Sequence, residues 1–159
     1  MAEEQQPAPQ AAQMGFNIEK IYVKDLSVEV PNAPAAFLER EAPQMDVQLH
    51  TQGISIGEEM YQVAITATVT AKVQDKTLFL VEVTQAGIFR IQGVPQEQMA
   101  MVLGIGCPNI VFPYLRETIS DVVIRAGFPP LLLNPVNFEA LYMQQQQQQA
   151  AQQPAGATH

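Results

Sequence analysis

The side chains able to do chemistry in this chain are few and far apart. Asp25 and Glu29 stand four positions apart in the run IYVKDLSVEVPNAP, residues 21–34. In an extended chain alternate side chains share a face. Ile21, Val23, Asp25, Ser27 and Glu29 therefore point one way, and Tyr22, Lys24, Leu26, Val28 and Val30 the other. At ~3.3 Å per residue the two carboxylates are about 13 Å apart. That is too far for a shared-proton dyad or for the acid and nucleophile of a glycosidase. What the pair offers is negative charge on a strand face, open either to solvent or to a basic partner. Leu80 and Glu82 share a face of a later strand and add a leucine beside a third carboxylate, a combination suited to a protein contact.

The other reactive groups do not combine. His50 lies on the polar phase of its strand and His159 is the last residue. Neither is spaced to partner Cys107 as a nucleophile pair, and no His/Cys cluster has metal-ligand spacing. Cys107 lies among apolar neighbours and reads as a packed small residue. Gly104-Ile105-Gly106 is too short for a dinucleotide fingerprint and lacks the lysine of a phosphate loop. It reads as a tight turn feeding a helix at Pro108. An enzyme on such a frame, a thioester hydrolase for example, would need a placed Asp, Glu or His with an oxyanion donor. No such set is recognisable here, so the expectation is a protein that is not an enzyme and takes no cofactor or metal.

The elements that hold these residues follow from periodicity. With 159 residues the chain fits one domain, large enough to bury a core without disulfides or metal. Apolar residues make up 47% and charged ones only 15%, which leaves apolar surface for association or for a ligand groove. The net charge of −8 argues against nucleic acid and favours a basic partner. A lone cysteine forms no internal disulfide, and the N-terminus lacks a basic region followed by an apolar run. Both point to a cytoplasmic protein. Its longest apolar runs fall short of the ~20 residues that span a bilayer.

Residues 1–14 and 144–159 are rich in Gln, Ala and Pro and are expected to be disordered or flexible tails, the second helical for a turn or two. Between them four strands are expected. The first is 16–30, followed by a proline-rich crossover at 31–44. The second starts at Met45, with a bulge at Gly53 to bring Ile54 and Ile56 into the apolar phase. The third alternates from Tyr61 to Val73 with period 2, and the fourth runs from Thr77 to Gln92, bent or interrupted at Gly87. The period then lengthens. A short helix fits 96–103, and 109–126 carries Val111, Leu115, Ile119, Val122 and Ala126 on one stripe. Gly127 ends it. Asn137 caps a last helix bearing Phe138, Leu141 and Tyr142. Four strands and then helices predict an α+β fold, a four-stranded antiparallel sheet with helices packed on one face.

The surplus apolar residues have two readings. Phe37, Leu38, Leu131, Leu133, Phe138, Leu141 and Tyr142 either close the core or line a groove for extended polypeptide.

The segments FNIEKIYVKDLSVEVPNAP (16–34), FLVEVTQAGIFRI (79–91), LGIGCPNIVFPYLRETISDVVIRAGFPPLLLNPVNF (103–138) and EALYM after it resemble the SecB family of bacterial export chaperones. The resemblance spans residues 16–143 and defines a chaperone domain at 15–143. It implies a homotetramer, a dimer of dimers, with sheets outside and helices between. It also implies an ATP-independent holdase that keeps unfolded precursor proteins competent for translocation and delivers them to SecA. In the family the acidic outer sheet face docks the basic, zinc-bearing C-terminal tail of SecA. On this chain those positions are Asp25, Glu29, Leu80 and Glu82, with Val81 pointing inward as a structural neighbour. The zinc belongs to the partner. Client grooves would be lined by the apolar residues named above. Some SecB-like chaperones serve a toxin–antitoxin pair instead, and that is the alternative role.

Overall fold

The computed structural model describes residues 14–152. Strands β1 (Gly15–Glu29), β2 (Gln44–Gly57), β3 (Met60–Val73) and β4 (Lys76–Gln92) precede helices α1 (Gln96–Met101), α2 (Cys107–Arg125) and α3 (Phe138–Gln152). The strands form one antiparallel sheet in the order β1-β4-β3-β2. Two tight turns make the central hairpins. Glu59 and Gln74 take positive φ of 56° and 53° there. The crossover 30–43 carries the chain from one sheet edge to the other and contains a short 3₁₀ turn, Ala35–Leu38.

One face of the sheet is the core. The alternation in β3 places Val63, Ile65, Ala67, Val69 and Ala71 inward, all fully buried, opposite Phe79, Val81, Val83 and Phe89 of β4. Helix α2 lays its stripe of Val111, Leu115, Ile119 and Val122 on these strands. Each such side chain stabilises the fold by about 1.5–3 kcal/mol when fully buried. Gln85 is the buried polar exception on this face. Thr118 of α2 shares its hydroxyl between Gln85 Oε1 at 3.0 Å and the Tyr114 carbonyl at 2.9 Å, tying helix to sheet. On the far side of α2, Arg125 pairs with Asp121 at 2.9 Å.

The two expected helices before Gly127 are one rod. A π turn, Val102–Gly106, joins α1 to α2 without a break, and Pro113 lies inside α2. The resulting thirty residues, Gln96–Arg125, are long and apolar enough to cross a bilayer by length and composition, contrary to the expectation from apolar run length. Helix α3 begins as expected, with Asn137 Oδ1 accepting from the Ala140 N–H at 3.0 Å. It then continues through the glutamine run to Gln152, beyond the turn or two expected of that tail. The expected tail at residues 1–13 and the end of the chain at 153–159 lie outside the described residues.

Three details of strand phase differ from expectation. β2 keeps its register through Gly53, which faces Val63, so Ile54 stays on the outer face opposite Gln62; the irregularity falls later, between Ser55 and Gly57, and both Ile54 and Ile56 are exposed. Gly53 serves helix packing instead: a Cβ there would come within 3.3 Å of Leu103 in the π turn. Gly87 does not interrupt β4. It makes room for the Phe89 ring, 2.8 Å from where its Cβ would be, and for Ile21 at 3.2 Å. Finally, β1 has irregularities between Ile18 and Lys20 and between Val23 and Asp25. The second one reverses the phase. Ile21 and Val23 face inward with Leu26 and Val28, while Tyr22 joins Asp25, Ser27 and Glu29 outside.

Candidate docking face and client groove

The pairing registers lay out the outer face residue by residue. Asp25 lies opposite Thr84, Thr84 opposite Thr66, and Thr66 opposite His50. The next row is Ser27, Glu82, Thr68 and Gln48; the one after is Glu29, Leu80, Thr70 and Asp46. These rows form a block across all four strands with no lysine or arginine at a paired position, and Lys24, unpaired at the bulge, lines a hollow beside its first row with Asp25, His50, Thr66 and Thr84. Glu82 is directly across from Ser27, so Asp25 and Glu29 are its two diagonal neighbours, about 7–8 Å away across the strands. All three carboxylates are exposed and Leu80 is half-buried among them. Asp25, Glu29, Leu80 and Glu82 are thus brought together on one surface, and Val81 is fully buried behind it. The phase reversal at Lys24 sharpens this face, because it removes Ile21 and Val23 from it.

Hydrogen bonds order the polar rows. Thr68 donates to Glu82 Oε2 at 2.9 Å, and the Thr66 and Thr84 hydroxyls are 2.8 Å apart. Tyr22 reaches from β1 to hydrogen-bond Gln62 of β3, lying alongside Ala86 and Ala64, which are buried although they point outward. The sequence reading missed Asp46, a fourth carboxylate at the far corner of the block. Its signal was present: Asp46 lies on the polar phase of β2, and only the β2–β3 register was needed to set it in the Leu80 row.

The apolar candidates separate into different places. Phe138 and Leu133 are 2% and 7% exposed and belong to the core, so they support the surface from beneath. The Phe138 ring packs edge-on against Phe112. Phe37 is 49% exposed and stacks on Phe128 at 5.2 Å between ring centroids; Phe128 in turn meets Phe79 at 4.9 Å. These rings, with Met45 and Pro129, line a cavity of about 390 Å³ between the crossover and the turn after α2. Glu39 and Glu41 are on its rim. Leu38, 81% exposed, points away from it. Leu141 lines a second hollow of about 410 Å³ with Val47, Leu49 and Val136. Tyr142 lies on Gly104, where a Cβ would be 2.7 Å from its ring. Leu131 is half-buried against the core.

Met45, Val47 and Leu49 are successive inward residues of β2, so one edge strand floors both hollows. That strand was not named as groove lining, because its alternation reads equally as core. The structure shows why it is not fully covered. Helix α2 packs against β3 and β4, leaving Met45 and Val47 of β2 partly open.

Cys107 is fully buried, and burial alone pushes its thiol from the ordinary 9.0 up to about 12. It is a core atom and not a thiolate. Among the described residues no group of three or more His, Cys, Asp or Glu side chains is arranged to hold a metal ion.

The class is α+β, an antiparallel sheet under a single helical layer, with carboxylates on its outer face and apolar hollows along an edge strand. The comparisons with known proteins identify its family. A family profile described as "Preprotein translocase subunit SecB" matches residues 9–149. The chain is 70% identical over 159 residues to the "Protein-export protein SecB" of Thiobacillus denitrificans, covering all of both chains. It is 61% identical over 150 residues to the protein of the same name from Methylobacillus flagellatus, covering 94% of this chain and 95% of that one. Among solved structures it is similar to a Mycobacterium tuberculosis SecB-like chaperone in complex with an antitoxin peptide. There the TM-score is 0.63 at 18% identity, over 76% of this chain and 90% of the other, a likeness of fold. This chain belongs to the SecB family.

Proposed function

We propose that this chain is an ATP-independent export chaperone, which binds unfolded precursor proteins in the cytoplasm and delivers them to SecA. The observation that carries the reading is the separation of two unlike surfaces by one sheet. The acidic block is on the outer face, while the apolar hollows floored by Met45, Val47 and Leu49 open on the inner side. A client and a basic partner protein therefore have separate places to bind. An unfolded client supplies apolar side chains and unpaired backbone groups. β2 is a sheet edge beside the hollows and can take up both kinds of group. Many weak contacts along one chain then add up to avidity.

SecA docks on Asp25, Glu29, Leu80 and Glu82 in this reading. A basic tail meets three exposed carboxylates around one leucine, and charge complementarity sets its orientation and on-rate. Assembly as a dimer of dimers is supported by apolar side chains that the single chain leaves open. Phe16, Ile18, Val23, Leu26 and Val28 are exposed along the inner side of edge strand β1. Tyr114 and Ile124 are exposed on α2, where Ile124 borders a hollow with Leu132. So much open apolar surface is more than a monomer usually carries. Reversing the charge at Asp25 and Glu29 and titrating the SecA tail is the test, with loss of SecA binding and retention of client binding expected.

A further inference from the structure

Glu82 is the only one of the three docking carboxylates on a strand with neighbours on both sides. Ser27 of β1 is directly across from it on one side and Thr68 of β3 on the other. An exposed glutamate has several rotamers, and over β1 it would approach Asp25 and Glu29 at their diagonal positions. Thr68 prevents this, since its hydroxyl donates to Glu82 Oε2 at 2.9 Å and draws the carboxylate toward β3. A hydrogen bond to an ionised acceptor is among the stronger kinds. It engages only one oxygen of the carboxylate, Oε2, leaving the other free for a partner. It also holds the charge of Glu82 away from the like charges of Asp25 and Glu29 on β1.

We propose that Thr68 is a positioning residue of the docking face, acting through Glu82 to preorganise the carboxylates for a cationic side chain of the partner's basic tail. The inference rests on the docking reading above and adds to it a residue that carries no charge itself. Thr66 and Thr84, bonded to each other at 2.8 Å, do not reach a carboxylate and serve as the comparison.

The experiment is calorimetric titration of a synthetic, zinc-loaded SecA C-terminal tail peptide into the full chain and its variants. Freeing one rotamer-rich side chain weakens binding by roughly threefold to tenfold. Thr68→Val should lose that much affinity, and Thr68→Ser, which keeps the hydroxyl, should restore it. Glu82→Gln should weaken binding by itself, and Thr68→Val added to it should have no further effect. Thr66→Val should bind as the parent does. Valine suits a strand, so folding is retained, and Thr68→Ala, which also removes the hydroxyl and should show the same loss, provides the second arm if it is not. A Thr68→Val protein that binds normally, while Asp25→Lys with Glu29→Lys still abolishes binding, overturns the positioning role alone. If the double charge reversal binds normally too, the docking reading fails and the inference fails with it.

Discussion

Removing the Phe37 ring separates a groove residue from a core residue. Phe37→Ala takes away a side chain that is 49% exposed, stacks on Phe128 at 5.2 Å and lines the cavity under the crossover. A fully buried phenylalanine contributes about 1.5–3 kcal/mol, so its half-buried share is roughly 1 kcal/mol. The stacked pair adds about 0.5–1.5 kcal/mol. The total, roughly 1.5–2.5 kcal/mol, falls mainly on the crossover, because that segment rather than the sheet holds the ring. Phe138→Ala differs in kind. With 2% exposure and an edge-on contact to Phe112, it should cost about 3–5 kcal/mol and leave a cavity. Against a typical stability of about 5–15 kcal/mol, the first variant stays folded and the second is marginal. Urea unfolding measures stability, and anisotropy of a labelled, permanently unfolded apolar peptide measures client binding. Phe37→Ala should lose about fivefold in client affinity, the equivalent of ~1 kcal/mol of apolar contact. Phe138→Ala should lose stability, with client binding falling only as far as its folded fraction falls. If Phe37→Ala binds client normally and fully folded Phe138→Ala does not, the groove has been put in the wrong place.

Two further predictions concern the two ends of α2. Gly127 has φ +96°, and a Cβ there would be 2.8 Å from the Phe37 ring. Gly127→Ala should therefore destabilise by about 1–3 kcal/mol in urea and lower client affinity as Phe37→Ala does; unchanged values would show that the crossover is not held there. Cys107, with its thiol pushed up to about 12, should resist a chromogenic disulfide reagent at pH 8 until denaturant is added. The native state keeps this proton longer than the unfolded chain does. The thiol's contribution to stability is thus complete below pH 9 and is lost as pH rises from 9.0 toward about 12. Rapid labelling of the native protein at pH 8 would contradict its burial.

Much of this architecture is legible from the chain. Period 2 in β3 and the apolar stripe of α2 arise from burial on one side only, and burial of that kind leaves a regular pattern. Gly53 and Gly87 were misread because glycine marks either a bend or a close approach, and the chain alone does not distinguish them. Both make room for a neighbour, Leu103 in one case and Phe89 in the other. The irregularity at Lys24 did leave a signal, since the apolar residues move from odd positions, Ile21 and Val23, to even ones, Leu26 and Val28, as an extra residue in a strand requires. Asp25 and Glu29 share a face all the same, because both lie beyond the bulge and keep their mutual phase. Asp46 and Thr68 depended on cross-strand register, a property of pairs of strands that no single segment carries. Phe138 and Leu133 are apolar residues near a surface groove, and only packing tells floor from lining.

The most direct measurement is calorimetric titration of the zinc-loaded SecA tail into the parent chain and into Asp25→Lys with Glu29→Lys. Native mass spectrometry of both proteins, alone and with an unfolded precursor, supplies the control. The predicted result is saturable binding to the parent that weakens with salt, none detectable for the double variant, and the same tetramer and the same precursor capture for both. Equal SecA affinity in the two proteins would contradict the assignment of the outer sheet face.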